Sequence, residues 1–209
     1  HEVVRLSGIN ITVGEEEKPL IIKVASIPNA KLQVYFIDNE EYFKRKGTWE
    51  DAQGSFYDDN GARSLFFSKS IIETIKKLGW QPDVVHVMGW MSAPLPVYLR
   101  QFHSDDAHFA GTKVVYSLFE NGYDGNLDKG LEEGMTFDGV QGMDQFTNPS
   151  AEALFCGAAR HADAVLQMSP NASPAAVEAA KAAGVPVHNG AEFLENPAAL
   201  DAFYESLFA

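Results

Sequence analysis

Gly79-Trp80-Gln81-Pro82-Asp83-Val84-Val85-His86-Val87-Met88, followed by Ser92-Ala93-Pro94-Leu95-Pro96-Val97-Tyr98-Leu99, decides the fold. Gly79 suits the left-handed stop of a preceding helix, and Pro82 leads into five mostly apolar residues. A run that short and that apolar suits a parallel strand buried on both faces. Ser92 is expected to cap the helix that follows. Pro94 and Pro96 are tolerable in its first turn, where backbone N–H groups lack helical partners.

The same alternation extends in both directions. Upstream, Leu65, Ile72, Ile75 and Leu78 share one helical face from Asn60 onward, with Asp59 or Asn60 as the expected cap. Downstream, Lys113–Leu118 reads as a strand, Asn121–Gly142 as a long Gly- and Asp-rich loop, and Ser150–His161 as a helix. Ala164–Met168 is then a strand and Ala175–Ala183 a helix closed by Gly184; Val185–His188 is a short strand and Ala198–Phe208 a last helix. Strands alternating with helices predict an α/β fold with a mostly parallel sheet and helices on both faces. The first third reads differently, as consecutive strands at Val3–Leu6, Ile9–Val13, Leu20–Val24 and Leu32–Ile37, broken by turns at Gly14–Glu17 and Pro28–Ala30.

The chain has 209 residues, 45% of them hydrophobic, and a net charge of −13. That length suits one domain over residues 1–209 with a substantial core. The acidic balance argues against sequence-independent binding to nucleic acid or to an anionic membrane, both of which call for Lys/Arg patches. No apolar run approaches the roughly 20 residues needed to span a bilayer. The single cysteine, Cys156, excludes an intrachain disulfide and reads as a packed core thiol. His1 is not a methionine, which a trimmed, a processed or an incomplete N-terminus would each explain, and the single cysteine with no signal-peptide pattern gives a cytoplasmic chain as the expectation.

Three blocks carry a family resemblance. The first is Val34-Tyr35-Phe36-Ile37-Asp38-Asn39 with Tyr42-Phe43. The second is Asp58-Asp59-Asn60 with Arg63 and Phe66-Phe67-Ser68, and the third is the opening stretch, with Trp90 and Ala93–Leu99. In order and residue type they resemble the N-terminal domain of bacterial glycogen synthases and plant starch synthases, and the resemblance runs from Ile21 to Pro170. It implies one Rossmann-like lobe of a GT-B glycosyltransferase that moves glucose from a nucleotide sugar to an α-1,4-glucan. The expected partners are an α-glucan or a nucleotide sugar, with a full-length synthase or a second chain to complete the cleft. No cofactor and no metal are expected.

The departures from that family are chemical. Where the synthases read H-x-H-D-W-H, this chain has His86-Val87-Met88-Gly89-Trp90-Met91, which removes two histidines and the aspartate. Where they read T-x-H-N, it has Val115-Tyr116-Ser117-Leu118, so Tyr116 replaces a histidine; a phenol is a poor substitute for imidazole near neutral pH. Neither a Lys-Thr-Gly-Gly-Leu-type phosphate loop nor a second Rossmann-like domain is legible. The residues alone therefore favour a glucan-binding, regulatory or scaffold relative over an enzyme acting alone, while the family favours the enzyme.

In open α/β sheets, ligands bind beyond the carboxyl ends of the strands. That rule and the resemblance nominate Asp38, Asn39, His86, Trp90, Tyr116 and Glu120 as ligand-binding candidates, with Asp124 and Ser169-Pro170-Asn171 close behind and no catalytic residue. The alternatives are ordinary: a turn-capping carboxylate at Asp38, a core histidine at His86, a local ion pair between Arg63 and Asp59, and a solvated helix end at His103–His108. Trp49, Trp80 and Trp90 read as core, although one exposed tryptophan would make a sugar-stacking platform.

Overall fold

A computed structural model describes residues 2–30 and 32–209; the expectation drawn from His1 lies outside them. The first third forms an antiparallel meander of β1 (Val4–Val13), β2 (Glu16–Ile27) and β3 (Leu32–Asp38). A two-residue turn joins β1 to β2, and Gly14 takes φ 61° there, a conformation that favours glycine. Glu16 and Glu17 belong to β2 and not to the turn, and β1 is one strand with a register shift between Arg5 and Ser7 where the sequence suggested two. Leu20 and Ile22 point inward onto α2 (Asn60–Lys77) and are almost fully buried.

The parallel sheet expected from the alternation is present. Its order is β4 (Val84–Met88), β5 (Lys113–Leu118), β6 (Ala164–Gln167), β7 (Val187–Asn189). Both faces are covered. Val85, Val87, Val114, Tyr116, Leu118 and Val165 face the main core, with α2, α3 (Pro94–Phe102) and α5 (Ala151–Arg160) above them. Val115, Ala164 and Leu166 face a smaller core closed by Phe193 of α7 (Ala191–Glu195) and Phe203 of α8 (Pro197–Ser206). Fully burying a side chain of this size contributes about 1.5–3 kcal/mol, so the two-sided strands anchor the fold.

Three local expectations change. The segment 121–142 is not all loop, because α4 (Lys129–Phe137) lies within it. Its glycines look like loop residues in sequence, yet Gly130 and Gly134 are where α4 presses against Ala62 and Leu65 of α2. Asp59 does not cap α2; its carboxylate takes both Nη1 and Nη2 of Arg45, at 2.7 and 2.5 Å. Asp128 supplies the cap instead, accepting from Gly61 N at 2.5 Å while also capping α4 through Gly130 N at 2.9 Å. Ser92 does not cap α3. It donates to Met88 O at 2.7 Å and so ties the turn Trp90–Ser92 back to the end of β4.

Candidate functional site: a cleft at the strand ends

Beyond the carboxyl end of β5 the chain runs Phe119-Glu120-Asn121-Gly122-Tyr123-Asp124-Gly125 and forms one wall of an open cleft of about 460 Å³. The first turn of α5 and the residues leading into α6 (Pro174–Ala182) form the other walls. The loop sits hard against α5. A Cβ added to Gly122 would lie 2.9 Å from the Ala151 Cβ, so no larger residue fits without displacing the wall. Tyr123 donates its hydroxyl to Pro149 O at 2.8 Å, and burial pushes its phenol up, so it remains a donor. Ser150 accepts from Ala153 N at 3.2 Å and caps α5.

The cleft's polar groups are Glu120, Asp124, Glu152, Asn121, Asn171 and the two serines Ser150 and Ser173. Glu120 already accepts the Ser169 hydroxyl. Among the described residues no lysine or arginine lines this cleft. Three carboxylates with two amides and hydroxyls offer strong acceptors to hydroxyl protons and repel a diphosphate.

Of the candidates from sequence, Glu120 lines this cleft, Trp90 and Tyr116 lie beneath the strand ends, and the other three are elsewhere. Tyr116 is fully buried and donates to Gly89 O at 3.1 Å; burial pushes its phenol up, so it acts as a structural donor. Trp90 is 3% exposed in an aromatic cluster with Trp49, Phe56 and Tyr123. His86 faces the opposite side of the sheet. One ring nitrogen meets Tyr204 Oη at 2.5 Å and the other Ser117 Oγ at 2.7 Å, and burial pulls the imidazole below its ordinary value. Asp38 pairs with Lys23 at 2.5 Å on the meander. Asn39 caps α1 (Glu40–Phe43), accepting from Tyr42 N at 2.8 Å and donating to Pro19 O at 2.7 Å.

Several secondary expectations also resolve. Arg63 does not pair with Asp59. It is buried between the Phe43 and Tyr57 rings and donates to Asn60 Oδ1 and, at 2.6 Å, to Thr48 O. Trp49 and Trp80 are not core, being 42% and 40% exposed. Asp106 gathers His108, Lys76 and His103, and the hydrogen bonds from His108 hold its carboxyl well below the usual range. Glu152 was missed in the sequence because an acidic residue in a helix's first turn has an ordinary explanation in the helix dipole.

A parallel sheet covered on both faces, with its cleft at the carboxyl strand ends, is an architecture shared by many α/β proteins, one lobe of GT-B glycosyltransferases among them. The comparisons agree. The model of the starch synthase catalytic domain family matches residues 1–181, and the chain belongs to that family. The glycogen synthase of Chlorobium luteolum is 36% identical over 119 residues, covering 56% of this chain and 24% of that protein. That of Pelodictyon phaeoclathratiforme is 31% identical over 164 residues, covering 78% of this chain and 33% of that protein. The chain therefore spans about a quarter to a third of the length of these relatives. The solved catalytic domain of starch synthase IV from Arabidopsis thaliana, bound to ADP and acarbose, shares the fold with a TM-score of 0.63 at 12% identity. The match covers 92% of this chain and 42% of that one. Among the described residues no helix is long and apolar enough to cross a membrane.

Proposed function

We propose that this chain is a glycogen/starch-synthase-type lobe that holds an α-glucan in the strand-end cleft and does not transfer glucose by itself. The observation that carries the reading is the cleft lining, with Glu120, Asp124 and Glu152 beside Asn121 and Asn171 and no cation among the described residues. Such a wall suits sugar hydroxyls and opposes the phosphates of a nucleotide sugar. The residues around the β4 and β5 ends support the second half. Met88, Gly89 and Met91 provide neither general base nor carboxylate, and Tyr116 is sealed in the core.

On this reading residues 1–209 act as one Rossmann-like domain, the first lobe of a GT-B enzyme in cytoplasmic glucan biosynthesis. Transfer would need a second chain or a full-length synthase. The test is binding of maltoheptaose to Glu120→Gln and Asp124→Asn. Both side chains are exposed, so folding should be unaffected. Each change removes a charge-assisted hydrogen bond and should weaken binding by about tenfold. Affinity unchanged in both variants would overturn the assignment of this cleft.

A further inference from the structure

Trp49 is an exposed aromatic side chain on a segment that is otherwise tightly held. The chain from Thr48 to Tyr57 folds back on itself: Tyr57 N donates to Trp49 O at 3.0 Å, and Glu50 pairs with Phe56 as an isolated bridge. Two side chains of α2 pin its base. Asn60 Nδ2 donates to Trp49 O at 2.8 Å and Arg63 to Thr48 O at 2.6 Å. Arg63 spends a buried guanidinium on this contact; its partners are an amide and a carbonyl, with the Phe43 and Tyr57 rings on its faces. Burying a cation without a carboxylate partner is costly, and here the cost fixes one loop.

The indole of Trp49 meets Trp90 edge-on, with ring centres 5.9 Å apart. Trp90 in turn lies 5.0 Å from Tyr123, which lines the cleft, and Phe56 stacks on Tyr123 at 5.2 Å. A packed aromatic cluster, with Trp90 buried at its centre, thus connects the wall of the acidic cleft to a tryptophan that remains 42% exposed. A pyranose presents a face of C–H groups and a rim of hydroxyls. An exposed aromatic plane matches the first and the carboxylates and amides of the cleft match the second, and a platform already held in place loses little freedom on binding.

We infer that Trp49 is a carbohydrate-stacking subsite, on which a glucose unit of an α-glucan rests while its neighbours occupy the Glu120–Asp124 cleft. The inference rests on the glucan reading of that cleft. Trp80 provides the control, because it is comparably exposed but precedes β4, at the opposite end of the strands, against Tyr35.

The experiment titrates the full chain, Trp49→Ala, Trp49→Tyr and Trp80→Ala with maltoheptaose, following heat and tryptophan fluorescence. Trp49→Ala should bind roughly tenfold more weakly, Trp49→Tyr within about threefold of the parent, and Trp80→Ala like the parent. The fluorescence change on binding should vanish in both Trp49 variants. If the parent binds and both Trp49 variants bind equally well with the fluorescence change intact, the subsite is wrong and the cleft assignment stands. If the parent itself does not bind, both fall. Should Trp49→Ala fail to fold, Trp49→Tyr with the fluorescence readout decides alone.

Discussion

Replacing Tyr116 with phenylalanine separates a structural residue from a ligand contact at the position where the synthases carry a histidine. The hydroxyl is fully buried and its acceptor is Gly89 O at 3.1 Å, on the turn that follows β4. Gly89 takes φ 77°, so this bond helps hold a left-handed residue in place. Losing one neutral hydrogen bond costs about 1 kcal/mol, rising toward 3 kcal/mol if the carbonyl is left orphaned. The Ser92 hydroxyl also reaches Gly89 O, at 3.4 Å, which places the expectation at the lower end, about 1–2 kcal/mol. For a domain of this size that lowers Tm by roughly 2–8 °C. Differential scanning calorimetry measures it, and the affinity of Tyr116→Phe for maltoheptaose should stay within about twofold of the parent. An unchanged Tm with severalfold weaker glucan binding would refute the reasoning, because it would put the phenol against the ligand.

Two further changes probe the frame. Gly61→Ala would place a Cβ 2.9 Å from Asp128 O and from Leu131 N, backbone atoms that cannot swing away, so urea melts should show a loss of about 1–3 kcal/mol; an unchanged midpoint would mean that α4 slides freely on α2. His86 is held below its ordinary value by burial, so the unfolded chain takes up a proton that the folded chain refuses. Its contribution is complete above about pH 6.5 and is lost as pH falls through that region toward the lower folded value. Stability of the parent should therefore decline below about pH 6.5, and His86→Gln should decline less steeply, some slope remaining from His103, which burial also depresses. Parallel pH profiles for the two proteins would contradict this.

From Asn60 onward the fold was legible because short apolar runs bounded by Gly and Pro admit few alternatives to buried parallel strands. The helix read over Ser150–His161 is α5, within one residue at each end, with Ser150 as its cap. The errors arose where a residue's partner is distant in sequence. Asp59 and Arg63 are four apart and suggested a local pair, but each is claimed by the loop before α2, through Arg45 and Thr48. The cap of α2 comes from Asp128, 67 residues away, and no local pattern announces it. The glycines of α4 were read as part of a long loop, whereas they permit close helix packing.

The site divided along the same line. Glu120 and Asn171 were found because strand-end geometry is general. Tyr116 and Trp90 came from motif matching and both face inward: alternate residues of a strand covered on both faces point into a core, which buries Tyr116, and the turn after β4 tucks Trp90 among Trp49, Phe56 and Tyr123. Trp49 was read as core from its residue type alone. The signal against that reading was its setting, a stretch between Lys44 and Asp59 with no hydrophobic periodicity to bury it.

The most direct test of the account is a pair of calorimetric titrations of this chain, one with maltoheptaose and one with ADP-glucose. Saturable binding of maltoheptaose with no heat from ADP-glucose is the expected result, since the cleft presents carboxylates and no cation among the described residues. Clear ADP-glucose binding, or no binding of maltoheptaose, would contradict the claim that this lobe holds glucan without nucleotide.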